Sequence, residues 1–245
     1  MLSVIIITKN EAVHIGRCLE SIAWADEIIV LDSGSDDDTV SICRRYTDHV
    51  YETDWPGFGL QKQRALDKAT GDWVLSIDAD EVVTAELRTE IERVMQENKL
   101  QAYEIPRLSS YCGRQMRHGG WWPDYVLRLF RRDVGRFSEA TVHEKVLVEG
   151  KVGRLVSPFH HETAVNLEEI LDKVNSYSSL GSQMLHEKGI RSSVSKAVLK
   201  ALWIFNRTYW LKAAFLDGRQ GLMLAVSNAE VTYYKYLKLL ELQDK

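Results

Sequence analysis

The first hundred residues alternate between two hydrophobic periods. Val4–Ile7 is an unbroken apolar run, the pattern of a strand buried on both faces. Asn10–Ala23 follows with Val13, Ile15, Cys18, Leu19 and Ile22 at helical spacing. A second strand, Glu27–Leu31, stops at Asp32-Ser33-Gly34-Ser35, which has turn and helix-cap chemistry. Thr39–Tyr46 then predicts a short helix, His49–Glu52 a third strand, Gln61–Ala69 a helix and Trp73–Ile77 a fourth strand. That rhythm predicts an α/β fold with a mainly parallel sheet and helices on both faces. A helix over Glu86–Gln96 and strands at Ala102–Pro106 and Val126–Phe130 are expected next. The stretch Arg107–Tyr125, rich in glycine, arginine and aromatic residues, reads as a functional loop. From about Asn166 the pattern is helical to the end, so the expected division is residues 1–165 and a helical extension over 166–245.

Composition narrows the class without naming a chemistry. Of 245 residues 45% are hydrophobic and 27% charged, enough for a sizeable core without disulfides. The three cysteines, Cys18, Cys43 and Cys112, have no CxxC spacing, which points to a reducing compartment and away from a structural zinc site. The opening MLSVIIIT reads as a strand rather than a secretory signal. No run reaches the roughly 18 apolar residues of a membrane span, and a cytoplasmic location is expected. The net charge of −4 conceals an asymmetry, with ten basic and four acidic residues from Lys188 onward against 21 and 31 before it. Acidic clusters suit metals and a basic tail suits anionic surfaces, although both can be solvated faces without a partner.

Candidate chemistry gathers at the strand ends, where an open parallel sheet binds ligands. The first strand runs into Thr8-Lys9-Asn10-Glu11, the second into Asp32-Ser33-Gly34-Ser35-Asp36-Asp37-Asp38-Thr39, and the fourth into Asp78-Ala79-Asp80-Glu81. Alternate carboxylates beyond a buried strand can aim at one hard cation, Mg²⁺ or Mn²⁺, which would neutralise a leaving diphosphate. The plainer reading is a strand-to-helix turn with capping acids.

The ordered series TKNE, DSGSDDDT, GFGLQKQRAL and LSIDADE resembles the inverting family 2 glycosyltransferases of GT-A fold. The resemblance implies a UDP-sugar donor, with Thr8, Glu11 and Asp32 around the nucleoside and Lys62 near the base or phosphates. It places Asp78 by the ribose or metal and makes Asp80 a metal ligand. The family more often has a glycine near Asp38. The segment Val134-Gly135-Arg136-Phe137-Ser138-Glu139, followed by Val142-His143-Glu144, looks like the family's GGFDE…ED region and puts Glu144 at the catalytic base, with His-Glu in place of Glu-Asp. Asp124, in Gly119-Gly120-Trp121-Trp122-Pro123-Asp124, is the second candidate base. His161, of His160-His161-Glu162, is the expected further metal ligand, where a polar strand end is the simpler reading. Trp121, Trp122 and Arg128 suit an acceptor sugar with anionic substituents, and equally a packed lid.

The tail carries two further features. Val194, Ala197, Val198, Ala201, Leu202 and Phe205 form one helical stripe flanked by Lys196, Lys200 and Arg207. Such a stripe can lie on an anionic membrane or pack against the catalytic domain. Val174–Ser178 and Phe215–Gly221 resemble a bacterial subgroup that adds glucose from UDP-glucose to a heptose of the lipid-anchored lipopolysaccharide inner core, at the cytoplasmic face of the inner membrane. No nucleic-acid partner is expected. Two rival readings stand beside this one. Val74–Val82 fits the strand-DxDxV pattern of haloacid-dehalogenase phosphatases with Asp78 as nucleophile, though the motif follows three strands rather than opening the fold. A non-catalytic sugar-nucleotide module on the same fold is the other.

Overall fold

The computed structural model describes residues 1–138, 145–164 and 166–243. The elements run β1 (Leu2–Thr8), α1 (Ile15–Ser21), β2 (Glu27–Asp32), α2 (Thr39–Cys43), β3 (Val50–Glu52), α3 (Phe58–Lys68) and β4 (Trp73–Asp78). There follow β5 (Glu81–Val83), α4 (Ala85–Glu97), β6 (Ala102–Tyr111), β7 (Arg114–Gln115), β8 (Asp124–Arg131), β9 (Arg136–Phe137), β10 (Val146–Leu147), β11 (Val152–Arg154) and β12 (Phe159–Ala164). The chain then becomes helical: α5 (Leu167–Glu187), α6 (Val194–Asn206), a π-helical turn (Arg207–Leu211), a 3-10 turn (Ala214–Asp217) and α7 (Gly218–Gln243). Two compact units result, Met1–Arg107 with Asp124–His161, and Leu108–Pro123 with Glu162 onward.

In the first unit β1 lies parallel between β2 and β4, and β3 extends the parallel side. Beyond β4 the sheet turns antiparallel through β8 and β6, so the whole is mixed. The two faces are filled by alternate residues of the same strands, as the two-residue period of a strand requires. Val4, Ile6 and Val30 pack with α1 and α4 on one face. Ile5, Ile7 and Leu31 pack with Ala65 and Leu66 of α3 on the other. This is the double burial that the continuous apolar runs predict, and each fully buried aliphatic side chain contributes about 1.5–3 kcal/mol.

Helix α4 shows how locally the sequence specifies its elements. The Thr84 side chain accepts from the Leu87 amide at 3.1 Å to cap the start, and Asn98 in the left-handed region (φ +45°) ends it. Leu87, Ile91 and Val94, at i, i+4 and i+7, form its buried stripe. The helix expected over Asn10–Ala23 is shorter, because residues 10–12 are bound into a loop instead. Asn10 sits at φ +56°, its amide donates to Ser35 Oγ at 2.8 Å, and its Oδ1 accepts from the Asp36 amide at 2.9 Å. Such side-chain bonds compete with helix formation.

The expected loop Arg107–Tyr125 is partly strand: β6 continues to Tyr111 and turns back as β7. The short strands β5, β7 and β9 to β11 have only two or three residues, too few to show a period. Cys18 and Cys43 are buried, and burial, with Asp32 nearby, pushes the Cys43 thiol up to about 12. These two thiols are therefore packing groups.

In the second unit Tyr111 and Met116 of the β6–β7 hairpin pack on Ile170, Val174 and Leu224 of the helices. Asp217 is 2% exposed and accepts from the amides of Arg117 and His118 at 3.0 and 2.8 Å. A side chain at Gly221 would meet the Ala214 carbonyl oxygen at 1.7 Å, so only glycine permits this approach of α7. The Phe215–Gly221 segment thus ties the hairpin to the helices. Val174–Ser178 has a similar role: Lys238 Nζ reaches Asn175 Oδ1 at 2.7 Å and Ser178 Oγ at 2.9 Å, joining α5 to α7.

Candidate active site

The register of the central strands sets the site. Thr8 stands opposite Asp32, and Ile7 opposite Asp78, so three strand ends deliver Thr8, Asp32 and Asp78 to one rim. Strand order reverses between β1 and β4, the kind of place where open α/β sheets leave a crevice. The Asp32 carboxylate is fully buried, and its Oδ1 accepts from the amides of Gly34 and Ser35 at 2.9 and 2.8 Å. Asp32 thereby shapes the loop after β2, and Gly34 takes the positive φ of +82° that the turn needs. Asp38 has φ −75°, an ordinary value for any residue, so the glycine usual in that neighbourhood is not required. The Glu11 amide is tied to Thr39 Oγ1 at 2.8 Å, which joins the loop after β1 to α2. Thr8 Oγ1 is buried without a hydrogen-bond partner among the described residues, the state of a group kept for a ligand or water.

Asp78 is held from two sides. Lys62 on α3, itself 4% exposed, places Nζ 2.9 Å from Asp78 Oδ1. Arg128 on β8 donates to Asp78 Oδ2 and, at 2.9 Å, to Glu81 Oε1. Burial works to raise the Asp78 carboxyl, but the charges of Arg128 and Lys62 overcome it and hold the group well below the usual carboxylate range. Glu81 is fully buried, and burial, aided by the Asp78 charge, raises its carboxyl despite Arg128. Arg107 continues the chain of charges, 3.9 Å from Glu81 and 2.6 Å from Asp124 Oδ2, with its Nε at 2.9 Å from the same oxygen. Opposite charges therefore alternate from Lys62 through Asp78, Arg128, Glu81 and Arg107 to Asp124.

This network forms one wall of a cavity of about 540 Å³, lined by Lys62, Asp78, Arg107, Arg128, Lys145 and Tyr125 among others. Four basic and two acidic side chains line it, a balance that favours an anionic ligand. Two residues beyond Asp78, the Asp80 carboxylate lies 3.1 Å from His161 Nε2. The antiparallel pairing of β12 with β5 sets His161 opposite Glu81 and so brings the histidine to the DxD turn. One carboxylate and one imidazole suit a divalent ion that takes its remaining ligands from phosphate and water. Among the described residues no group of three His, Cys, Asp or Glu side chains is arranged to hold a metal alone.

Asp124 opens β8 and is clasped by Arg107, its register partner. Glu144 lies outside the described residues. Arg128 is in the first unit, buried against Asp78 and Glu81, whereas Trp121 and Trp122 belong to the second. There Trp121 packs edge-on against Tyr111 at 5.8 Å, and Arg117 lies 5.6 Å over the Trp122 ring. The sequence pattern does not single out Glu81 or Arg107 as site residues. The acid after the DxD was a weak signal for Glu81, but nothing local marks Arg107, because only the β6–β8 register brings it to Asp124.

Arg128→Met is expected to lower the unfolding free energy by about 3 kcal/mol, since it strands the buried Glu81 carboxylate. Urea unfolding would show this as a lower midpoint with an unchanged slope. Glu81 stabilises the fold most when protonated, so its raised pKa removes stability as pH rises. Asp78, with a lowered pKa, stabilises above the ordinary carboxylate pKa and loses that contribution on acidification. Removing Arg128 raises both, so the deficit should grow from about pH 4 upward. A deficit below about 1 kcal/mol near neutrality would mean that Glu81 does not depend on Arg128.

Residues 3–144 match the family described as Glycosyl transferase family 2. The lipopolysaccharide core biosynthesis glycosyltransferase LpsC of Rhizobium meliloti is 32% identical over 253 residues, covering 97% of this chain and 91% of LpsC. An uncharacterized glycosyltransferase of Rickettsia typhi is 30% identical, covering 100% of this chain and 88% of its own. Among solved structures, Staphylococcus aureus TarS in complex with UDP-GlcNAc has a TM-score of 0.51 at 16% identity, covering 99% of this chain and 91% of that one, a likeness of fold.

Proposed function

This chain belongs to the family 2 glycosyltransferases, and from that premise we propose that it uses a divalent metal to move a hexose, glucose from UDP-glucose, with inversion onto a heptose hydroxyl of a lipid-anchored lipopolysaccharide inner core. The similarity to LpsC supports the acceptor class. The observation that carries the donor chemistry is the Asp80–His161 pair at 3.1 Å, two residues from the cavity-lining Asp78. Family membership also displaces the phosphatase alternative for Asp78.

Thr8, Glu11 and Asp32 shape the nucleoside end of the site, with Thr8 Oγ1 the buried group still to be satisfied. Lys62 and Arg128 present positive charge to the diphosphate, their positions fixed by Asp78 between them, which moves Arg128 from the acceptor side expected of it to the donor side. Asp80 and His161 would hold Mg²⁺ or Mn²⁺, whose chemistry is to neutralise the diphosphate and ease its departure. Glu144 takes the acceptor proton, with Asp124 as the second candidate for that role. For the acceptor sugar the aromatic candidates are Trp121 and Trp122 of the second unit.

Calorimetric titration of the full chain with UDP-glucose, UDP-galactose, UDP-GlcNAc, GDP-mannose and UDP, each with and without Mn²⁺, tests the reading. Metal-dependent binding of UDP-glucose in preference to the others is expected, and transfer should cease in EDTA. Preference for another UDP-sugar would overturn the glucose assignment alone. Full transfer in excess chelator would remove the metal from the account.

A further inference from the structure

The positive charge of the C-terminal part is concentrated in one stretch. From Lys188 to Arg219 there are seven basic residues and a single acid, Asp217. That acid is buried and committed to Arg117 and His118, so it offers no compensating charge at the surface. After Arg219 three basic residues meet three acidic ones. Six of the seven basic side chains are exposed, and Lys196 is half-buried.

The same stretch exposes large apolar side chains. Helix α6 buries only Ala197. The stripe expected there as one face is divided, with Val194, Val198 and Leu202 at 56%, 40% and 55% exposure. Leu199, Leu202 and Trp203, at i, i+3 and i+4, share a face of α6, and Leu199 and Trp203 are 67% and 56% exposed. Trp210 and Leu211, in the π-helical turn, are 58% and 71% exposed. Trp210 is steadied by Tyr209 at 4.8 Å and Phe215 at 5.8 Å, so this aromatic edge is part of a packed cluster rather than a loose side chain. Lys196 and Lys200 border a hollow of about 540 Å³ with Ser195, Leu199 and Trp203, so cationic and apolar groups meet in one groove.

We propose that α6 and the π-helical turn after it are a docking surface for an anionic lipid bilayer. The helix lies in the plane of the headgroups, with Leu199, Leu202, Trp203, Trp210 and Leu211 at the acyl boundary and Lys200, Arg207 and Lys212 at the lipid phosphates. Among the described residues no helix is long and apolar enough to cross a membrane, so the contact is in-plane. A second copy of the chain is a poorer occupant, because a two-fold contact through this surface would set the same positive charges against each other. The surface deepens the proposed function and rests on the lipid-anchored acceptor for its purpose, since it would hold the enzyme where that acceptor is.

Co-sedimentation of the full chain with vesicles tests this, using phosphatidylcholine alone or with about a third phosphatidylglycerol. Binding to the anionic vesicles is expected, declining as salt is raised. Lys200→Gln with Arg207→Gln should weaken it about thirtyfold, from the usual contribution of each basic residue near such a surface. Leu199→Ser with Trp203→Ser should also weaken it, and all four positions are exposed or flank exposed groups, so folding should survive. UDP-sugar binding, whose expected residues lie in the first unit, serves as the control in every variant. No binding to anionic vesicles at low salt, or unchanged binding of either double variant, would overturn the proposal. So would a concentration-dependent dimer abolished by the same substitutions. None of these outcomes touches the nucleotide-sugar reading, whose failure would appear in calorimetry instead.

Discussion

Glu144→Gln is expected to slow transfer by about a thousandfold while UDP binding stays within about twofold of the wild type. An inverting displacement needs a carboxylate on the acceptor side of the anomeric carbon, opposite the leaving diphosphate. Glutamine keeps the size and one acceptor oxygen of glutamate but cannot take the proton. The loss should therefore appear in kcat rather than KM, and the acid limb of the kcat/KM profile should flatten. Asp124→Asn is the companion measurement. Asp124 Oδ2 receives both Nε and Nη2 of Arg107, at 2.9 and 2.6 Å, which marks it as a group held in place. Its amide variant is expected to lose about tenfold through altered positioning. A thousandfold loss in Asp124→Asn beside near-normal Glu144→Gln would transfer the role of base to Asp124.

The second large effect is expected at Asp80. Asp80→Ala should cut transfer by about a hundred- to thousandfold, the range for removing one electrostatic contact to developing charge. The substitution removes the 3.1 Å contact between Asp80 and His161 but disturbs none of the Lys62, Arg128 and Glu81 contacts that hold the turn. The thermal midpoint should consequently change little. Mn²⁺ should no longer strengthen UDP binding in this variant, and that loss separates a metal role from a merely structural one. Equal turnover by variant and wild type would remove Asp80 from the catalytic account, and turnover by neither would favour the non-catalytic module.

Local sequence carried the parallel half of the fold and the rim it builds. Continuous apolar runs such as Val4–Ile7 can be satisfied only by burial on both faces, so the strands and their polar ends could be read in order. The same logic fails for β12, whose Phe159-His160-His161 reads as a polar edge until its pairing with β5 is known. It fails also for Arg107–Tyr125, where strand and hairpin share a composition rich in glycine and arginine.

The chain by itself thus determined which residues are carried to the carboxyl edge: Thr8, Asp32, Asp78 and Asp80 each end a recognisable strand or follow one directly. Tertiary structure decided what those carboxylates face. Asp78 is clamped by Lys62 from α3 and Arg128 from β8, and Asp80 meets His161 from β12, residues 16, 50 and 81 positions away in sequence. Hydrophobic period records how a residue is buried but carries no information about which distant strand will pair beside it. Register does, and register is settled only when the two faces of the sheet are packed.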